Sequence, residues 1–208
     1  MAPSPYRLRY FGCRCRGEPI RILFALTKTA FVDERVANAD WATVKPTTPL
    51  GALPVLVEEG KAPLGQTNAI LRHLATQLGL HSINPYADAV AEQLGDLMSD
   101  LMPFHCVNAG YYPGDKDALY TAHFVTARAK HFAILQNVLK KNASGWLVGD
   151  SLTYADILAA TTFEFLEAID QNPSKIYEGF PELKALKDRV FAIPPIAEHI
   201  SRRADDIF

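Results

Sequence analysis

Aromatic or apolar residues alternate with charged ones along Tyr6-Arg7-Leu8-Arg9-Tyr10-Phe11, the period-two pattern of a half-buried strand. Gly12 to Gly17 punctuates it. Glu18-Pro19 then opens a helix, with proline near the first turn where its missing N–H costs little. Ile20, Leu23, Phe24 and Thr27 form the helical stripe. Phe31-Val32-Asp33-Glu34-Arg35-Val36 is a second short strand, and Asp40 is a candidate N-cap for a short helix carrying Trp41, Val44 and Lys45. Gly51-Ala52-Leu53-Pro54-Val55-Leu56-Val57-Glu58-Glu59-Gly60 reads as turn, strand and turn, with Lys61-Ala62-Pro63-Leu64 as a short partner strand. Gln66-Thr67-Asn68 starts a helix whose stripe is Ile70, Leu71, Leu74 and Leu78, closed by Gly79. The order β-α-β-α-β-β-α predicts a parallel core that ends in an antiparallel hairpin.

From Tyr86 onward the pattern changes to a 3.6-residue period over 87–109, 115–141, 154–170, 181–191 and 195–202. The expected organisation is a small α/β domain over residues 1–80, a linker over 81–85 and an all-helical domain over 86–208. Asn108 to Gly114 reads as a loop interrupting the helices. Thr153-Tyr154-Ala155-Asp156 fits a capping box with Asp in place of the usual Glu, and Leu152 and Ile157 occupy the staple positions. Asp156 is therefore expected to start a buried helix, not to do chemistry.

Composition narrows the class. A chain of 208 residues and 23.0 kDa can bury roughly 70% of its unfolded surface, so its core needs no disulfide or metal. Apolar residues at 49% and charged residues at 21% exclude disorder. The net charge of −2 gives no footprint for nucleic acid or an anionic membrane. No apolar run reaches the length of a membrane span, and Met1 to Pro5 lacks the regions of a signal peptide. Cys13, Cys15 and Cys106 make an odd set, a poor disulfide framework that reads as a reducing compartment, most simply the cytosol.

Pro54 stands at the head of a strand, where it forfeits one ladder donor. A trans bond there is an ordinary edge device. A cis bond would turn Leu53 outward and offer its N–H and C=O to an extended peptide. Cis X-Pro bonds are only about 5–6% of cases, so residue type favours trans, while the element order favours the cis-proline of a thioredoxin-like arrangement.

With these segments in view, the chain resembles the cytosolic glutathione transferases, among them the tyrosine-type classes, sigma first and pi next. The resemblance rests on Tyr6 to Phe11 with Arg16-Gly17-Glu18-Pro19-Ile20-Arg21, on Ala39-Asp40-Trp41, on Gly51-Ala52-Leu53-Pro54, on Gln66 to Leu74, and on Val148 to Asp156. Each is weak alone; in this order they are specific. The resemblance implies a thioredoxin-like N-terminal domain, a helical C-terminal domain, a homodimer, and a cytoplasmic detoxification enzyme joining the thiolate of glutathione to a small hydrophobic electrophile. Glutathione is the co-substrate, and no metal, nucleic acid or membrane insertion is implied.

Residue by residue, the resemblance gives Tyr10 the catalytic role of donating a hydrogen bond to the glutathione sulfur. Phe11, Arg16, Trp41, Lys45, Ala52, Leu53, Pro54, Gln66, Thr67 and Asp100 join it in binding the tripeptide. Trp41 and Lys45 would reach the glycine carboxylate, and Gln66 and Thr67 the γ-glutamyl end, where the free N–H groups of a helix start suit a carboxylate. Asp100, with Asp96 one turn earlier as competitor, would cross the dimer interface toward the ligand's ammonium. Each has a plainer reading: an aromatic core residue for Tyr10, a helix cap for Thr67, packing for Trp41, solvated side chains for Lys45 and Asp100. The electrophile pocket is expected between the domains, walled by Gly12, Cys13, Arg14, Met102, His105, Cys106, Leu158, Thr162 and Phe208.

The energetics suit the role of Tyr10. A thiol of pKa about 8.5 is only about 3% thiolate at pH 7. Lowering that pKa by about two units needs ~2.7 kcal/mol. A hydrogen bond to a charged group supplies roughly 1.5–3 kcal/mol, and Arg16 and the helix N-terminus add field of the same sign.

The sequence departs from the family at Cys13-Arg14-Cys15-Arg16, since relatives usually carry Gly where Cys15 stands. Arg14 and Arg16 would lower the pKa of a neighbouring thiol, which opens a rival thiol-transferase reading through Cys13 or Cys15, or simple susceptibility to oxidation and glutathionylation. The same motifs are compatible with a non-catalytic carrier or structural relative, and with a glutathione-dependent isomerase or peroxidase. Pro103 and the absence of a tryptophan in Met102 to Val107 argue against the prostaglandin D synthase specialisation found in sigma relatives.

Overall fold

The computed structural model describes residues 5–80, 85–110 and 112–203, without the side chains of residues 87, 98, 99, 101, 102 and 123. Packing divides the chain into two compact units, residues 1–81 with 193–208, and residues 82–192.

The first unit holds the α/β elements: β1 (Tyr6–Phe11), α1 (Glu18–Leu26), β2 (Val32–Val36), α2 (Trp41–Val44), β3 (Val55–Glu58), β4 (Leu64–Gly65) and α3 (Thr67–Leu78). The sheet order is β2-β1-β3-β4. β1 pairs parallel with β2, antiparallel with β3, and β3 pairs antiparallel with β4. The expected parallel core is thus a single pair. α1 returns the chain the length of the sheet between β1 and β2. The link from β2 to β3 starts and ends at the same end of the strands, because those strands run in opposite senses, and the four residues of α2 with short flanking turns suffice.

Alternation along β1 puts Tyr6, Leu8 and Tyr10 on the buried face, against α1 residues Ile20, Leu23 and Phe24 and α3 residues Ile70, Leu71 and Leu74, all buried. α1 carries Pro19 in its first turn. α3 ends at Gly79 in the left-handed conformation (φ 76°), as its position predicts. Asp40 does not cap α2 through its side chain. A 3-10 turn over Asn38–Asp40 runs straight into the helix, so the residue's own backbone is already helical.

The helical unit contains α4 (Pro85–Asn108), α5 (Lys116–Leu119), a π-helical stretch (Tyr120–Val125), α6 (Thr126–Lys141), α7 (Tyr154–Ile169) and α8 (Pro181–Phe191). α7 is buried along almost its whole length. Its start is fixed by Asp156, whose carboxylate accepts from the Thr153 N–H (2.8 Å), the Thr153 hydroxyl (3.0 Å) and, across the preceding loop, the Leu147 N–H (2.8 Å). Burial pushes the Asp156 carboxyl above its ordinary pKa, and these donors oppose the shift.

The last helix, α9 (Pro194–Arg202), packs on α1 and belongs to the first unit, whereas periodicity alone placed it with the other helices. Glu18 and Arg21, each 1% exposed, explain the attachment. Glu18 accepts from His199 Nε2 (2.9 Å) and Arg203 Nη1 (3.0 Å) and pairs with Arg21 (3.3 Å); Arg21 Nε reaches Asp33 at 3.1 Å. Burial alone would raise the Glu18 pKa. The hydrogen bonds and charge of His199 and Arg203, with the charge of Arg21, outweigh it and hold the carboxyl at about 2.

Two outcomes are expected. The depressed Glu18 pKa contributes stability that is complete above its unfolded value of 4.5 and lost as pH falls towards about 2. The loss is about 3 kcal/mol. Urea unfolding across that window should show it, and Glu18→Gln should flatten it. Asp156→Ala leaves buried donors of Thr153 and Leu147 unsatisfied and should cost about 2–4 kcal/mol in denaturant unfolding, read by the midpoint at unchanged slope.

Candidate functional site

Tyr10 lies at the end of β1 on its inner face and is 5% exposed, so the plain core reading holds for its ring. Its hydroxyl does more than pack. The backbone N–H of Arg16 donates to Tyr10 Oη at 3.2 Å. The carbonyl of the same residue accepts from the Thr67 hydroxyl at 3.2 Å. Arg16 therefore ties the strand's tyrosine to the start of α3 through its two backbone groups. Thr67 is the first residue of α3, and its hydroxyl bonds this carbonyl instead of capping the helix.

The loop that does this is built tightly. A 3-10 turn over Cys15–Gly17 joins β1 to α1. Gly17 lies against the tyrosine: a Cβ there would stand 2.6 Å from Tyr10 Cδ1 and 2.8 Å from Cγ. Arg21 Nη1 donates to the Cys13 carbonyl at 2.9 Å, and its guanidinium carbon lies 5.8 Å from the centre of the Tyr10 ring. The buried Glu18–Arg21 pair thus supports the loop from below.

Aromatic contacts extend the cluster. Tyr10 meets Phe11 edge-on at 5.7 Å, and Phe11 meets Trp41 at 5.3 Å. Trp41 is half-buried, so it packs on its own unit and keeps an open edge. Lys45 is exposed at the start of a 3-10 turn (Lys45–Thr47) that Pro46 imposes. Its Cε lies 3.6 Å from where a Cβ on Gly51 would be. The Leu53–Pro54 bond is cis. Ala52 is exposed and Leu53 half-buried, both just ahead of β3.

Two backbone features lay beyond sequence reading. Gln66 precedes α3 with φ 73°, and Cys15 opens its turn with φ 27°, both on the side of the map that glycine favours. The nearest sequence signal was the glycine that relatives carry at the Cys15 position. Electrostatics centre on Tyr10. Burial pushes its hydroxyl well above the ordinary tyrosine pKa, the charges of Cys15 and Cys13 and a hydrogen bond with the Cys15 thiol push the same way, and the Arg16 N–H opposes them. The phenol is therefore protonated at neutral pH. Arg16 Nε is buried and has no hydrogen-bond partner among the described residues.

The structure brings together Tyr10, Phe11, Arg16, Trp41 and Thr67, with Gln66 beside them in the chain. Of the remaining candidates in the first unit, Gly12 is exposed, and Cys13 and Arg14 are half-buried. In the helical unit His105 is buried edge-on to Phe165 at 5.1 Å, Leu158 and Thr162 are buried one turn apart on α7, and Cys106 is half-buried. Asp100 is exposed on α4 and faces His131 at 3.5 Å, and Asp96 is exposed as well. Phe208 and the Met102 side chain lie outside the described residues. Among the described residues, no group of His, Cys, Asp and Glu could hold a metal ion, and no helix is long and apolar enough to cross a membrane.

A mixed four-stranded sheet with a tyrosine at the end of its first strand, a cis-proline and a helical second unit defines a thioredoxin-like transferase architecture. Residues 6–76 match the glutathione S-transferase N-terminal domain and residues 99–203 the corresponding C-terminal domain. The chain is 37% identical over 204 residues to probable glutathione S-transferase 6 of Caenorhabditis elegans, covering 96% of this chain and 97% of that one. Its fold is similar to the glutathione S-transferase of Ascaris lumbricoides (TM-score 0.87, 33% identity, 98% and 99% covered). It is also similar to a Nu-class enzyme of Haemonchus contortus (TM-score 0.83, 35% identity, 98% of each chain). The chain belongs to the glutathione S-transferase family.

Gly17→Ala should push the Tyr10 ring off its seat. The expected cost is roughly 1–3 kcal/mol of stability, measured by denaturant unfolding, together with a changed near-ultraviolet tyrosine signal.

Proposed function

We propose that Tyr10 makes the sulfur of bound glutathione anionic and that the thiolate then attacks a hydrophobic electrophile. The observation that carries this reading is the pair of hydrogen bonds made by the Arg16 backbone, one donated to Tyr10 and one accepted from Thr67. It holds the tyrosine hydroxyl and the start of α3 in one rigid frame, so a single peptide can meet both. Tyr10 Oη accepts the Arg16 N–H, which leaves its own proton to donate. Burial keeps that proton in place at neutral pH, and a thiolate beside it raises the phenol's pKa further. The tyrosine is then a donor throughout and never a base.

Gln66 and Thr67 receive the γ-glutamyl carboxylate at the N-terminus of α3, where the turned backbone of Gln66 opens the helix start. Trp41 and Lys45 take the glycine carboxylate. The tripeptide backbone lies along Ala52, Leu53 and Pro54, with Phe11 beneath. The unpartnered Arg16 Nε adds positive field near the sulfur. Asp100, paired here with a histidine at a long 3.5 Å, reaches the ligand's ammonium in a homodimer partner. Gly12, Cys13 and Arg14, in the loop that follows Tyr10, are this unit's candidates for meeting the electrophile. Cytoplasmic residence follows from the three thiols. Among tyrosine-type classes the motif pattern stands nearest to sigma, then pi. The Nu-class relative adds a third candidate, and the electrophile pocket decides among them, not Tyr10.

Tyr10→Phe removes one hydroxyl from a packed ring. Turnover with a model electrophile should fall tenfold or more, glutathione affinity should stay within a few-fold, and activity should appear at higher pH as the bound thiol returns toward its solution pKa. Initial rates from pH 5.5 to 9 check this, and unchanged turnover would move the chemistry to Cys13 or Cys15.

A further inference from the structure

Cys15 stands at the one oxygen on which the proposed reaction depends. It occupies the first position of the Cys15–Gly17 turn, half-buried, with a backbone φ of 27° that a glycine would adopt freely. The next residue, Arg16, donates its N–H to Tyr10 Oη at 3.2 Å. Cys15 is thus one residue from the N–H that meets the hydroxyl, and its thiol acts to raise the pKa of that hydroxyl. A glutathione sulfur bound to Tyr10 would therefore meet the hydroxyl beside the turn that carries this thiol.

We propose that Cys15 is an oxidative stop for this site: it forms a mixed disulfide with glutathione in the pocket and thereby blocks conjugation. The proposal rests on the reading of Tyr10 as the sulfur-binding group. Because the next residue's N–H lies 3.2 Å from the Tyr10 hydroxyl, a sulfur held by that hydroxyl comes within side-chain reach of Cys15, and a disulfide closes the pair to about 2.05 Å. Arg14 and Arg16 flank the thiol in sequence, and the phenol O–H can stabilise its thiolate as it would that of the substrate. The oxidant is glutathione disulfide. The Cys15 thiolate attacks one sulfur, a Cys15–glutathione S–S bond forms and the disulfide's own S–S bond breaks. Reduced glutathione leaves and takes up the proton that Cys15 released. The retained half is gripped by the groups that hold the substrate, so the adduct sits in the pocket with its sulfur spent. A second thiol reverses the step. Cys13 is less well placed: it lies two residues further from the N–H that meets the hydroxyl, and its carbonyl is held by Arg21.

The test incubates the purified full chain with glutathione disulfide, maps adducts by peptide mass spectrometry and measures residual conjugation of a model electrophile. The expected result is one glutathionyl group on Cys15, at least tenfold loss of conjugation at full modification, and recovery with dithiothreitol. S-methylglutathione, which fills the site without a reactive sulfur, should slow the modification at least tenfold. Cys15→Gly should keep its own untreated rate through the same treatment, while Cys13→Ser should remain sensitive. An adduct confined to Cys13 or Cys106, a Cys15 adduct that leaves conjugation unchanged, or inactivation of Cys15→Gly as fast as the parent would each overturn the proposal. If the untreated protein is neither retained on immobilised glutathione nor active in conjugation, the reading of Tyr10 has failed, and the proposal falls with it for that separate and visible reason.

Discussion

A peptide group has one donor and one acceptor, and Arg16 uses both on side chains from distant parts of the first unit. Its N–H fixes the Tyr10 hydroxyl and its carbonyl fixes Thr67, which begins α3. Everything proposed for the sulfur depends on this. A phenol whose lone pair is already taken keeps one direction in which to donate. If the turn moved by an ångström, the tyrosine would remain a good core residue and lose its chemistry.

The turn is held from both sides. From above, Gly17 leaves no room between the helix start and the tyrosine ring. From below, Arg21 grips the Cys13 carbonyl and is itself fixed by Glu18 and Asp33. A buried ion pair contributes little net stability after desolvation, and removing one member is costly. That asymmetry suits a positioning device, because the arrangement persists only while every member is present. Glu18 also receives His199 and Arg203, so the last helix helps keep the loop in place from the far end of the chain.

Cysteine in the same turn changes the character of the site. Cys15 bears a side chain on a left-handed backbone, next to the residue whose N–H meets the Tyr10 hydroxyl. In the proposed mechanism the substrate thiol is received next to the turn that carries a resident thiol. The chemistry of conjugation and that of thiol exchange become neighbours, separated by the redox state of the glutathione that arrives.

Local patterns settled what local physics controls. Alternation along Tyr6–Phe11 put Tyr10 inward, the 3.6-residue period located the ends of the helical segments within a residue or two but not the π-helical break that divides 115–141, Gly79 closed α3, and the Thr153–Asp156 box opened α7. Motif order identified the family and with it most of the proposed ligands, Tyr10, Trp41, Gln66 and Thr67 among them. Tertiary structure alone decided the rest. The direction of β3 depends on the end of the sheet at which the chain re-enters, which no residue pattern encodes. The cis state of Leu53–Pro54 was open, since residue type favoured trans and only element order favoured cis. The left-handed backbone of Gln66 and Cys15, the backbone bridge of Arg16 and the pairing of Glu18 with a histidine 181 residues away are contacts between segments. Such contacts carry no periodicity, because each is made by one residue meeting one distant partner after the chain has closed on itself.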